Sequence, residues 1–243
     1  MDNNNIKLLC DYLSRLKANN NKEWFYSNRK EYEEIRANFM EFAGKLITAV
    51  SKFDPEIKEA NLTAKECTYR INRDLRFSKE KSPYKTHFGI FICKGGKKSQ
   101  FSGYYLHLEP EASPSELENL NEYGFTSRSI LCAGTYCPEP KVLKSIKDEI
   151  SVNGETFIKA LEKAKGYKPD YTTALKKVPR GFESVKPEWG ELLRLKDFSI
   201  MKTIPQAVLY SSDFFDYAVR ELKRTKDYVA VVNRAVQYAM EER

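Results

Sequence analysis

The hydrophobic period of this chain changes twice, and that order constrains its fold more than any other feature. Over residues 20–50, Phe25, Tyr32, Ile35, Phe39, Phe42 and Leu46 recur at three- and four-residue steps, the spacing that gathers apolar side chains on one face of a helix. Asn20 and Glu23 stand at capping-box spacing at its start, with Asn in place of the usual Ser or Thr. Asp54-Pro55 ends this helix, and a shorter one over 6–16 precedes it. The pattern then shortens to aromatic and β-branched runs at 62–77, 88–94, 103–109 and 126–136, which read as strands. Gly95-Gly96 reads as a hairpin turn, so part of the sheet at least is antiparallel.

Helical spacing returns after Pro138-Glu139-Pro140, with Val142, Leu143, Ile146 and Ile150 on one face. Another helix is expected over 155–164. A final long one starts near Ser212-Asp213 and carries Phe215, Val219, Leu222, Val229, Val232 and Val236. Residues 176–187, punctuated by Pro179, Gly181 and Pro187, read as irregular. Helices, then strands, then helices is the order of an α+β fold. The expectation is a single domain over 1–243, with a mainly antiparallel central sheet at about residues 62–136 packed by long N-terminal and C-terminal helices. An acidic stretch without periodicity at 111–122 marks an insertion spanning 111–128. A chain of 243 residues buries enough surface to fold without disulfide or metal.

Composition narrows the function classes. No run of about 18 apolar residues occurs, so no membrane partner is expected. The first residues, Met1-Asp2-Asn3-Asn4-Asn5, lack the basic and apolar parts of a signal peptide. Cys10, Cys67, Cys93, Cys132 and Cys137 are odd in number and form no CxxC pair, which suits reduced thiols and a cytoplasmic location. Only His87 and His107 are present. That scarcity argues against a histidine-built zinc site, and no metal ligands and no cofactor are assigned. GxGxxG, P-loop, GxSxG and HExxH patterns are absent.

The net charge of +7 is local: residues 65–98 hold ten Lys or Arg and three acids, and the remainder balances. Such a patch attracts anions, and it serves equally as a solvated basic face. Within it, an extended segment over 69–77 places Tyr69, Ile71, Leu75 and Phe77 on one face and Arg70, Asn72, Asp74 and Arg76 on the other. Arg73 falls on the apolar side, where it needs an anion or several carbonyls. Arg70 and Arg76 lie ~20 Å apart on a straight strand at about 3.3 Å per residue, so one phosphate cannot bridge them unless the backbone bends. In Tyr104-Tyr105-Leu106-His107-Leu108-Glu109-Pro110, alternation puts Tyr105, His107 and Glu109 on one face. A carboxylate beside a histidine sets its tautomer and favours proton transfer, and the same pattern also occurs as an ordinary half-exposed contact. Trp24, at a helix start, reads as a core residue.

The residues of this basic run also carry a resemblance. Asn72-Arg73-Asp74, Arg76-Phe77-Ser78-Lys79 and Lys81-Ser82-Pro83-Tyr84-Lys85-Thr86 resemble the signature of the domain of unknown function 2461 family. So do Asn20-Asn21-Lys22-Glu23-Trp24-Phe25, the Tyr104–Pro110 segment, Tyr136-Cys137-Pro138-Glu139-Pro140 and Pro179-Arg180-Gly181-Phe182, in one collinear order. The resemblance implies a single-domain bacterial protein; it carries an identity rather than a mechanism. This chain departs from it in the segment 111–128, in Cys132-Ala133-Gly134-Thr135 where more glycine is usual, and in Lys186-Pro187 where His-Pro is expected.

Three functions stay open. An enzyme or binder of an anionic, phosphate- or carboxylate-bearing small ligand would draw on the segment 70–87. Arg70, Asn72, Arg73, Asp74, Arg76, Ser78, Lys81, Tyr84 and Lys85 would hold the ligand, and His107 with Glu109 would transfer protons. A structural or protein-interaction domain would pair the same arginines with its own carboxylates. A nucleic-acid-binding module would use the cations on phosphates and Tyr69, Phe77 or Tyr84 for base stacking.

Overall fold

A computed structural model describes residues 3–76, 81–111 and 128–241. Five strands form one antiparallel sheet in the order β1-β2-β3-β5-β4. They are β1 (Phe88–Cys93), β2 (Gly103–Leu108), β3 (Ile130–Thr135), β4 (Lys168–Pro169) and β5 (Phe198–Thr203). The α+β expectation holds, but the sheet starts at Phe88 and runs to Thr203 rather than lying within 62–136. Most of the segment 111–128 lies outside the described residues.

Strand alternation gives the sheet two unlike faces. Ile90, Ile92, Tyr104, Leu106, Leu131 and Ile200 point into one continuous apolar core. The helices supply its other half. Helix α3 (Arg29–Ser51) contributes Phe39, Phe42 and Leu46. Helix α6 (Pro140–Lys163) contributes Ile146, Ile150 and Phe157, and α10 (Lys226–Glu241) contributes Val229, Val232 and Val236. The opposite face carries Tyr105, His107, Cys132, Gly134, Ser199 and Met201, and these are absent from the core cluster.

Several helix boundaries differ from the expected ones, each for a local reason. The helix expected over 20–50 is two, α2 (Lys22–Ser27) and α3, broken at Asn28, whose side-chain amide donates to the Trp24 carbonyl at 2.8 Å. Asn21, not Asn20, caps α2 by accepting from the Trp24 backbone at 2.9 Å. Asp54 caps a further short helix, α4 (Pro55–Ala60). The run at 62–77 is not a strand. It opens with α5 (Ala64–Cys67), set by a Thr63–Glu66 capping box, and continues as an extended arm with isolated bridges at Thr68–Ile90 and Asn72–Tyr84. Phe77 lies outside the described residues.

Helix α1 (Asn3–Ala18) covers the expected 6–16, and the helix expected over 155–164 continues α6 across a kink at Asn153. After the irregular 176–186 segment come α7 (Pro187–Leu193), β5 and the single-turn α8 (Gln206–Leu209). The expected last helix is two, α9 (Phe214–Arg224) and α10, parted at Thr225, whose hydroxyl donates to the Leu222 carbonyl at 2.7 Å. Among the described residues no helix is long and apolar enough to cross a membrane.

Gly95 and Gly96 turn the β1–β2 hairpin with φ of 83° and 75°. Gly134 has φ 125°, and a Cβ there would stand 1.9 Å from the Phe198 carbonyl oxygen across the β3–β5 pairing. Gly134→Ala is therefore expected to cost at least about 2 kcal/mol, read as a lower urea midpoint; an unchanged midpoint would show that β3 and β5 can separate at no cost.

Candidate functional site

The face of the sheet opposite the apolar core forms the floor of a cleft of about 770 Å³. Tyr105, His107 and Glu109 rise from β2 and its end, Cys132 and Gly134 from β3, and Ser199 and Met201 from β5. The described parts of an arm, 69–76 and 81–87, form a wall. Its two limbs pair through the Arg73 amide donating to the Pro83 carbonyl at 2.9 Å and the Lys85 amide donating to Ile71 at 2.8 Å. Asn20 fastens the arm to the N-terminal helices by donating to the Tyr84 carbonyl at 2.9 Å and accepting its amide at 3.1 Å.

At the floor, His107 is only 4% exposed and has a partner on each ring nitrogen. Nδ1 lies 2.9 Å from the Tyr105 hydroxyl and Nε2 lies 3.0 Å from Glu109 Oε2. Thr86 Oγ1 donates to the other Glu109 oxygen at 3.2 Å. An ionised Glu109 only accepts, so Nε2 carries the proton and Nδ1 accepts from Tyr105. His87 stacks on His107 with ring centroids 4.4 Å apart. Burial, reinforced by His107, Lys85 and Arg73, pushes the His87 pKa down from 6.5 to about 3, so its imidazole is neutral near neutral pH. Burial raises the Tyr105 phenol, and it raises the Cys132 thiol to about 12, which leaves that sulfur un-ionised.

The rim is cationic. Lys17, Arg73, Lys85, Lys97 and Lys98 line the cleft against the carboxylates Glu109, Asp170 and Asp197. Arg73 is half-buried, as its place on the inner side of the arm requires, and its Nε donates to the Tyr84 carbonyl at 3.0 Å. Lys85 lies 5.3 Å above the Tyr69 ring. Burial, with Arg70 and Arg73 nearby, lowers its pKa.

Of the residues expected to bind a ligand, Arg73 and Lys85 line the cleft. Arg70, Asn72, Asp74, Arg76 and Lys81 are exposed and outside its lining. Arg76 forks onto Asp74 at 2.9 and 2.6 Å and holds that carboxyl at about 2, below its usual range. Tyr84 is a core residue, stacked on Phe25 at 4.0 Å. Ser78 lies outside the described residues. Tyr105, His107 and Glu109 stand together as expected, and sequence reasoning missed His87, Lys17 and Asp197 as lining residues of the same cleft. Period two in β2 already placed Tyr105 beside His107; no sequence signal brings Lys17 or Asp197 there.

The two histidines and Glu109 form one group, with one ligand-type atom from each all within 4.8 Å of one another. Counting histidines could not foresee this, because the fold brings both to one point.

The depressed pKa of His87 has a testable sign. Between about 3 and 6.5 the unfolded chain takes up the proton and the folded chain does not, so stability falls as pH drops through that window. Urea unfolding from about pH 7 to 4 should show His87→Gln losing less stability than the parent, by up to about 1.4 kcal/mol per pH unit; parallel profiles would contradict the half-buried, neutral imidazole.

No match is found among curated proteins or solved structures. A family model described as "Conserved hypothetical protein (DUF2461)" matches residues 9–115 and 123–230, and the chain belongs to that family.

Proposed function

We propose that the cleft binds a small anionic ligand bearing phosphate or carboxylate, with Arg73 and Lys85 holding its charge and the His107–Glu109 pair transferring a proton. The observation that carries this reading is the convergence of five cationic side chains and a partnered histidine on one concavity. The Nε bond to Tyr84 positions the Arg73 guanidinium at the rim, and an arginine so positioned recognises a planar or tetrahedral oxyanion with little ordering cost. His107 sits at the floor with its tautomer set by Glu109, the arrangement proton transfer requires.

One observation favours the structural alternative for part of the basic run: Arg76 is satisfied by Asp74. The nucleic-acid reading gains less support, since Tyr84 is buried in the core and cannot stack on a base.

A thermal-shift series with inorganic phosphate, sugar phosphates, nucleotides and dicarboxylates tests the proposal. A ligand at 100 times its Kd adds about 2.7 kcal/mol to stability, and the shift should persist in moderate salt and vanish in Lys85→Ala. A panel without any shift on the parent protein overturns the anion reading. Steep loss of a DNA- or RNA-induced shift with salt would favour the nucleic-acid reading instead.

A further inference from the structure

We infer that His87, His107 and Glu109 form a binding site for one divalent transition cation of the zinc class at the cleft floor. The inference deepens the anion reading and rests on it for the open side of the cation's shell, which faces the cleft and is completed by water or by an oxygen of the anion.

The donor set comes first. Two imidazoles and one carboxylate suit borderline cations such as Zn²⁺, Co²⁺ or Fe²⁺, whereas Mg²⁺ and Ca²⁺ take oxygen ligands. Bonds of about 2.0–2.2 Å put neighbouring ligand atoms about 3–3.5 Å apart. His107 Nε2 and Glu109 Oε2 are already 3.0 Å apart, and all three ligand atoms lie within 4.8 Å. A movement of about 1–1.5 Å by the His87 ring closes the set at those bond lengths. His87 is half-buried, and reaching the cation takes its ring out of the stack on His107.

The surroundings match what such ligands require. A metal-binding imidazole donates its other N–H to a fixed acceptor, and the Tyr105 oxygen stands 2.9 Å from His107 Nδ1. A bound carboxylate is steadied by a donor on its free oxygen, and Thr86 Oγ1 fills that place at 3.2 Å. Cation binding therefore exchanges one tautomer of His107 for the other. Without the cation, Nε2–H donates to Glu109. With it, Nε2 and Glu109 both turn their lone pairs to the metal, and Nδ1–H donates to Tyr105. With the cation bound His107 and Glu109 would serve as its ligands, so the proton transfer proposed for them belongs to the cation-free protein.

The test uses the full chain after EDTA treatment and dialysis. The chain has two histidines and no others, so their imidazole NMR signals report the site directly. One equivalent of Zn²⁺ should shift both sets, and Co²⁺ should give a visible absorption band that saturates at one ion per chain. Zn²⁺ should displace that Co²⁺, and Mg²⁺ should not. Tyr105→Phe should weaken Co²⁺ binding about 10-fold, and His87→Gln by at least as much. The inference is overturned if either imidazole stays unshifted at one equivalent of Zn²⁺, a readout that needs no variant to fold. Undiminished Co²⁺ uptake by folded His87→Gln and Glu109→Gln proteins would overturn it too. Phosphate titration of the EDTA-treated protein separates the two readings: a phosphate shift without Zn²⁺ binding leaves the anion site standing alone, and Zn²⁺ binding without a phosphate shift leaves only the cation site.

Discussion

The site depends on a sheet whose two faces obey different rules. On β2 the even residues Tyr104, Leu106 and Leu108 are sealed in the apolar core, and the odd residues Tyr105 and His107, with Glu109 just past its end, face the cleft. Burying the even set fixes the register, because a slip of one residue would send a histidine and a carboxylate into the core. The apolar core lies against one face, and the other carries polar side chains. Those side chains are nonetheless shielded, and shielded polar groups must satisfy one another. The chain from Tyr105 through His107 to Glu109 and Thr86 is the form that satisfaction takes here.

The shield is the arm formed by residues 69–76 and 81–87, and its anchorage links the N-terminal helices to the cleft. Asn20 makes both backbone hydrogen bonds that a neighbouring strand would have made to Tyr84. The Tyr84 ring stacks on Phe25 of α2, and its carbonyl also receives Arg73 Nε. One residue thus fixes the arm, the core and a rim cation. Asn20 and Tyr84 are 64 positions apart, so this clamp is a product of tertiary structure alone.

That separation explains what was legible in the sequence. Local periodicity placed the helical faces of α3 and α10 and the alternation of β2, and with it the pairing of His107 and Glu109. It also put Arg73 on the inner side of the arm. It failed where a single side chain competes for a helical carbonyl, as Asn28 and Thr225 do, since such breaks leave the apolar spacing intact. At 62–77, Thr63 and Glu66 carried a capping signal that the aromatic and branched residues masked. Strand β5 escaped because Lys202 sits on its core-facing side. Its side chain is half-buried there, and Glu221, 3% exposed, meets the ammonium at 2.6 Å. Tyr84, inside the basic run, had the composition of a ligand residue and the burial of a core one.

The charge layout of the cleft follows from the same shielding. His87, stacked 4.4 Å from His107 in a poorly hydrated place, is held neutral by burial, and His107, Lys85 and Arg73 add to the cost of charging it. At that imidazole the floor offers a lone pair and an N–H group rather than positive charge, beside the carboxyl group of Glu109. The rim, which is better solvated, holds the cations. Under the proposed anion reading, a ligand held by the rim would meet the neutral His87 imidazole at the floor, and a cation proposed there would meet its unprotonated nitrogen. Each would strengthen the site for the other, because the positive ion offsets the carboxylate and the anion offsets the rim.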